Sequence, residues 1–409
     1  LKKTMAEVQV VRPSSDQRES GRLQVLDTIR SAGRIARIDI AQATGFSPAT
    51  VTAITSELLA AGLIEESSSD DQPSETRRGR PRVTLKLRGK AHRIAGLKVA
   101  QRTITMLIVD FEGKTIVDHE MEFPTARVSP TELVDRILKI VDATCRKGGF
   151  DRTGLSGLGI GLPGQINSVS NFVHWSSSLL ERNVELGALL AQRLPFPVFV
   201  DNDANLVAKA EHLFGKGRES RNFLVVTLEF GVGLGIMIDG EVYRGQRGCG
   251  AEFGHTKVQL HGALCQCGQR GCLEAYVGDY ALLREANGVT VGEPYTDVAQ
   301  LVAAARGGDQ VAMSIFERAG AMFGMGLANL INIFDPDLII LAGRSHNKRH
   351  IFLDAAVTRA MQSVVQVDAP PPEIRTHGWG DLMWAKGAAA YAIEKVSGLT
   401  VKDVTRNAS

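Results

Sequence analysis

Three of the five cysteines in this 409-residue chain, Cys265, Cys267 and Cys272, fall within eight residues of one another. Thiols so crowded are poorly placed for disulfides and well placed for a metal. With His255 ahead of them the spacing is H-x9-C-x-C-x4-C, a Cys3His set that fills all four positions of a tetrahedral zinc ion. Thiolates favour zinc over magnesium or calcium. The expectation is one structural zinc per chain, with Gly268 and Gly271 letting the backbone turn tightly around it. Whatever else the chain does, residues 255 to 272 have to close on one point.

From Arg18 to Ile64 the apolar spacing predicts three short helices. The first has Leu23, Leu26 and Ile29 on one face and ends at Ala32-Gly33; the second runs from Arg37 to Thr44 and is closed by Gly45. SPATVTAITSELLAAG supplies the third, with Ser47 as N-cap, Pro48 at the first helical position and Gly62 at the end. Val51, Ile54 and Leu58 face inward, which leaves Thr50, Thr52, Thr55 and Ser56 outward, small and able to hydrogen-bond. Two helices joined by the tight TGFS turn make a helix-turn-helix, whose second helix can enter a major groove.

A helical bundle used only for packing would share that pattern, but the next residues favour DNA. GLIEE and RVTLKLR read as two strands around a polar loop from Ser67 to Gly79, a wing. At its base RRGRPR, residues 77–82, carries Arg78 and Arg80 in an Arg-Gly-Arg-Pro core suited to a narrow A·T-rich minor groove. Ser47, Thr50, Thr52, Thr55, Arg78 and Arg80 are therefore the candidate DNA contacts. Charge permits this without demanding it: residues 1–90 hold 15 Lys and Arg against 11 Asp and Glu, the remainder 32 against 34.

After Lys90 the texture becomes alternating strands and helices. RIAGLKVA, TITMLIVDFEG and KTIVDHEMEF read as strands, followed by a helix from Pro130 to Lys147 and the apolar strand LSGLGIGLPG. A second set opens at RNFLVVTLEFGVGLGIMIDG, with a long helix from Gln310 to Ile333 and the buried strand DLIILAG. The repeat predicts two α/β lobes around a cleft, so the division is 1–90 and 91–409. Hydrophobic residues at 44% and charged residues at 22% fit a soluble protein. No apolar run approaches the roughly 18 residues of a membrane span, and no apolar signal core opens the chain. Leu1 is not a start residue and Met5 is the first candidate for one. A cytoplasmic location is expected.

GLGIGLPGQIN, DNDAN, AEFGH, CQCGQRGCLEAY and INIFDPDLIILAG, in this order, resemble the ROK family of repressors, open reading frames and sugar kinases. Together with the helix-turn-helix and RGRP, the resemblance is to its transcriptional repressor branch. It implies an actin-like fold of two ribonuclease H-like lobes with sugar held between them. The family's sugar-contacting positions match Asn202, Asp203, Glu252, His255 and Glu274, and Asp203 also matches the kinase general base. Carboxylates and amides suit a hexose, whose hydroxyls both donate and accept. His255 would then use one ring nitrogen for zinc and the other for a sugar hydroxyl.

Both phosphate loops depart from the kinase pattern. Where ROK kinases carry D-x-G-G-T, this chain aligns KVAQR, residues 98–102: Lys98 stands for the aspartate, Ala100 and Gln101 for the glycines, and Arg102 for the threonine. In the second loop Gly-Thr-Gly has become Glu229-Phe230-Gly231. Phosphoryl transfer depends almost wholly on positioning and charge neutralisation, so its machinery is largely gone. The surviving glycines 231, 233 and 235 are expected to serve the backbone turn.

The resulting expectation is a sugar- or amino-sugar-responsive repressor of carbohydrate genes, acting on operator DNA as a homodimer or tetramer and without enzymatic activity. Two alternatives stand beside it: an ATP-dependent sugar kinase with a fused DNA-binding domain, and a regulator answering to a sugar-transport protein.

Overall fold

The computed structural model describes residues 15–67, 83–290, 292–343, 346–365, 367–368, 370–377, 380 and 382–407. The chain divides into two compact units. The first takes Leu1–Ile94 and also Val109–Ile116 and Ile393–Ser409; the second holds Ala95–Ile108 and Val117–Ala392.

In the first unit the elements are α1 (Ser15–Ala32), β1 (Ile35–Ala36), α2 (Arg37–Thr44), α3 (Pro48–Ala60), β2 (Ile64–Ser67) and β3 (Thr84–Leu87). The strands pair antiparallel in the order β1-β3-β2, and the two-residue β1 was not legible as a strand. Gly45, at φ 72°, closes α2 by donating its N–H to the Ala41 carbonyl. The Ser47 hydroxyl caps α3 by accepting from the Thr50 N–H at 3.1 Å. This is a winged helix-turn-helix.

Its first helix is rotated from the expected face. The buried row is Arg22, Val25, Leu26 and Ile29, spaced i, i+3, i+4, i+7, while Leu23 is half-buried. Arg22 sits in the core because its charge is met: Nε and a terminal nitrogen each donate to Glu57 Oε2 of α3 at 2.7 Å, and the other donates to Thr405 Oγ1 at 3.3 Å. Thr405 comes from the returning C-terminal segment, which also places Ser397 beside Arg30. Arg22→Met is expected to lower stability by about 1.5–3 kcal/mol, the usual worth of hydrogen bonds to a charged group, with the lower end favoured by the exposure of Glu57. A denaturant midpoint equal to that of the parent would remove this tie from the account.

The second unit contains two five-stranded sheets. The first is built from β4 (Arg93–Val99), β5 (Thr103–Asp110), β6 (Thr115–Glu122), β7 (Gly157–Leu162) and β10 (Val198–Asn202), in the order β10-β7-β4-β5-β6. Between them in the chain come α4 (Pro130–Lys147), the hairpin β8 (Gly164–Asn167) and β9 (Phe172–Ser176), and α5 (Leu186–Ala191). The helix α6 (Asp203–Phe214) leads to the second sheet. That sheet takes β11 (Phe223–Leu228), β12 (Val232–Ile238), β13 (Glu241–Val242), β14 (Leu338–Ala342) and β15 (Glu373–His377), in the order β13-β12-β11-β14-β15. The helices that follow in the chain are α7 (Glu274–Val277), α8 (Asp279–Val289), α9 (Val298–Arg306), α10 (Gln310–Phe334), α11 (His346–Ser363) and α12 (Met383–Asn407), the last belonging to the first unit from Ile393 onward.

β7, β11 and β14 read as unbroken apolar runs because both faces of a parallel sheet interior are covered, and every residue of the three is buried. β6 alternates because it is an edge. Two glycines decide how α12 lies on the first sheet: a methyl at Gly96 or Gly159 would overlap the carbonyl oxygens of Ala385 and Ala388. Among the described residues, no helix is long and apolar enough to cross a membrane.

Candidate functional site

The two sheets of the second unit bound a cavity of about 180 Å3. All five expected sugar residues, Asn202, Asp203, Glu252, His255 and Glu274, line it. Asn202 ends β10 and N-caps α6, its Oδ1 accepting from the Ala204 N–H at 2.9 Å while Nδ2 donates to the Gly164 carbonyl. Asp203 is the first residue of that helix. Burial pushes its carboxyl above the usual range, the Lys98 ammonium pulls it back down, and Glu229 adds to the rise. The neighbouring Asp201 is a structural carboxylate that sequence reasoning did not separate from the pair: fully buried, it accepts from Arg244 at 2.7 Å and from Asn205.

Glu252 precedes a single 3-10 turn, Phe253–His255, and its Oε2 lies 3.8 Å from His255 Nε2. Burial raises its carboxyl; His255 opposes this, and Glu274 and Asp203 add to it. The other ring nitrogen of His255, Nδ1, faces Cys265 Sγ at 3.6 Å. One imidazole therefore has a nitrogen toward the cysteines and another toward the carboxylate wall of the cavity.

The ligand atoms of His255, Cys265, Cys267 and Cys272 lie within 4.8 Å of one another. Cys267 and Cys272 sulfurs are 3.7 Å apart, close to the roughly 3.8 Å between two sulfurs of a tetrahedral zinc–thiolate centre. Burial pushes the Cys272 thiol up to about 11, against the pull of Lys257 Nζ at 2.9 Å from its sulfur. The donor set, one imidazole and three thiols converging within 4.8 Å, fits a metal. Gly271 earns its place twice, with φ 79° and no room for a methyl against the Gln259 carbonyl. Glu274 ties the cluster to the cavity. Its Oε1 accepts from the Tyr280 hydroxyl and the Cys265 thiol, and its Oε2 from the Val232 N–H at 3.2 Å.

Lys98 and Glu229 were identified one by one as departures from the phosphate loops; the structure brings them together. Lys98 Nζ donates to Glu229 Oε2 at 2.7 Å and lies 3.5 Å from the centre of the Trp384 ring, with 5% of its side chain exposed. One residue comes from the end of β4 and the other follows β11, so the pair spans the cavity between the two sheets. The opposite signs at the two altered positions were a legible signal, but proximity was not.

The glycines of the second loop are held by close packing and not, as expected, by the backbone turn. None of Gly231, Gly233 and Gly235 has a positive φ, and the last two lie within β12, which continues the β11 hairpin. Space holds them: a Cβ at 231 would stand 2.5 Å from Glu274 Oε2, at 233 2.8 Å from Ala204 Cβ, and at 235 2.6 Å from the Ala204 carbonyl oxygen.

On the winged helix, Ser47, Thr50 and Thr52 are exposed at the start of α3. Thr55 is not outward as expected. It is fully buried, donating to the Thr52 carbonyl and accepting from Arg37 Nε at 3.1 Å, because it falls one helical turn after Val51 on the packed face. Ser56 takes its place on the solvent side. Arg78 and Arg80 lie outside the described residues.

A winged helix-turn-helix joined to two α/β lobes around a polar cavity defines a DNA-binding head on a sugar-kinase-like body. The chain belongs to the ROK family, whose model matches residues 94–395, and residues 22–65 match a winged helix-turn-helix DNA-binding model. Its lobes therefore have the actin-like, ribonuclease H-like fold. A xylose repressor of Caldicellulosiruptor bescii is 28% identical over 351 residues, 82% of this chain and 86% of that protein. A solved ROK family transcriptional regulator, a homologue of the Escherichia coli Mlc protein, superposes with a TM-score of 0.80 at 25% identity, covering 96% of this chain and 100% of that one. A ROK family glucokinase from Streptomyces griseus, solved with glucose and AMPPNP, gives 0.64 at 29% identity, over 73% and 99%.

Proposed function

We propose that the chain is a sugar-responsive transcriptional repressor of carbohydrate uptake or metabolism genes in which phosphoryl transfer has been lost. The observation that carries the loss is the Lys98–Glu229 ion pair at 2.7 Å, which joins the two positions where a kinase would meet phosphate and metal. The DNA-binding head, residues 1–90, sets α3 in a major groove with Thr50 and Thr52 toward base edges, while Arg78 and Arg80 hold the adjacent minor groove. The body, residues 91–409, binds a sugar or amino sugar through Asn202, Asp203, Glu252, His255 and Glu274, and mediates assembly into a homodimer or tetramer. His255, Cys265, Cys267 and Cys272 hold one structural zinc, which supplies cross-linking and no reactive chemistry, since its four positions are filled. The protein acts in the cytoplasm, and a sugar-transport protein is a further candidate signal.

The ROK kinase reading keeps one observation in its favour: Asp203 lies in the cavity where a general base would stand. Incubation with ATP, magnesium and a panel of hexoses and amino sugars separates the two. The expected result is no phosphorylated sugar; a turnover in the range of about 1–100 s⁻¹ of ordinary kinases would overturn the repressor-only reading.

A further inference from the structure

The charges around the cavity carry the sugar-site reading one step further. Among the described residues lining it, the carboxylates are Asp203, Glu229, Glu252 and Glu274, and Lys98 is the one lysine or arginine. That ammonium is committed twice, to Glu229 Oε2 at 2.7 Å and to the face of Trp384 at 3.5 Å. A cation already satisfied by a carboxylate and a ring has little left to offer a ligand anion. The glycine turn is partly occupied: the Val232 N–H donates to Glu274 Oε2, and the Glu229 N–H to the Gly231 carbonyl. A phosphate group entering this space meets the carboxyl groups of Asp203, Glu252 and Glu274, a cation already paired with Glu229, and a turn in which the Glu229 and Val232 donors serve the protein. Like charges brought together out of water repel strongly, while hydroxyls donate to those same carboxylates.

We propose that the cavity takes an uncharged sugar and refuses its phosphate ester, with the Lys98–Glu229 pair as the specificity-determining device. Glu229 neutralises the one cation that would otherwise draw a phosphate in. The signal then precedes phosphorylation: it is the substrate of a sugar-kinase reaction and not its product. The inference rests on the sugar-site assignment above, and the test separates the two.

Calorimetric titration of the full-length, metal-loaded protein would use D-glucose, D-xylose and N-acetyl-D-glucosamine, each beside its phosphate ester at the terminal carbon. The expected result is binding of at least one free sugar, with its ester at least about tenfold weaker, a difference that titration resolves readily. An ester that binds as tightly as its parent overturns the proposal while leaving the sugar site standing. If none of the six binds, the sugar site itself falls and this inference with it. Glu229→Gln supplies a second arm, because it leaves the Lys98 ammonium without this carboxylate. In that variant the gap between parent and ester should narrow by about tenfold. A folded, metal-loaded Glu229→Gln protein with an unchanged gap overturns the role of the pair.

Discussion

Cys272→Ser is expected to leave the protein with less than about a tenth of a metal equivalent per chain, against about one in the parent. Cys272 is fully buried, stands 3.7 Å from Cys267 Sγ and accepts from Lys257 Nζ, so no neighbouring side chain can replace its sulfur. Structural zinc in small modules is worth about 10–16 kcal/mol at neutral pH. The loss here should be smaller, because the second sheet and α10 keep their own apolar core. The segment from His255 to Cys272 should loosen first, and the cavity with it, since His255 and Glu274 reach both the cysteine cluster and the cavity. Thermal stability, metal content and sugar binding should therefore fall together. Cys249→Ser is the control: it lines the cavity outside the ligand set and should retain the metal. A Cys272→Ser protein as metal-replete and stable as the parent would show the centre to be misassigned.

Glu252→Ala should give a repressor that binds DNA but no longer answers to sugar. A ligand shifts a two-state protein only through its differential affinity for the two states. Sugar gripped by Asn202 and Asp203 from one side, and by Glu252, His255 and Glu274 from the other, should favour a more closed cavity and weaken DNA binding. Couplings of this kind are typically about 1–3 kcal/mol, or about 5–150-fold. Linkage requires DNA to weaken sugar binding by the same factor. The measurement is affinity for a DNA fragment selected by the protein from a random pool, with and without the tightest-binding free sugar. Metal content is checked in the same sample. A folded, metal-loaded Glu252→Ala protein that keeps the full sugar response would refute the assigned effector site.

Local rules were legible where local chemistry decides. The bounds of α2 and α4 and the Ser47 cap follow from caps, prolines and apolar spacing within a single turn or two. The same rules misjudged Thr55 and Leu23. A threonine hydroxyl is small enough to bury once Arg37 donates to it, and that arginine lies on another helix. Leu23 is displaced from the core face by Arg22, whose charge is met by residues 35 and 383 positions away. The glycines of the second loop were assigned to turn geometry because sequence reports a missing side chain, not which neighbour needs the space.

By itself the sequence determined the winged helix-turn-helix, the ROK fold of two α/β lobes, and the close spacing of His255, Cys265, Cys267 and Cys272. These are properties of spacing and residue type, readable along one segment at a time. Only the tertiary structure decided that Lys98 and Glu229 compensate each other, 131 positions apart, at 2.7 Å. It also decided that Glu274 serves the cysteine cluster and the glycine turn at once. The physical reason for the first is that a buried charge is tolerable only beside its partner, and which residue becomes the partner is set by how the two sheets meet.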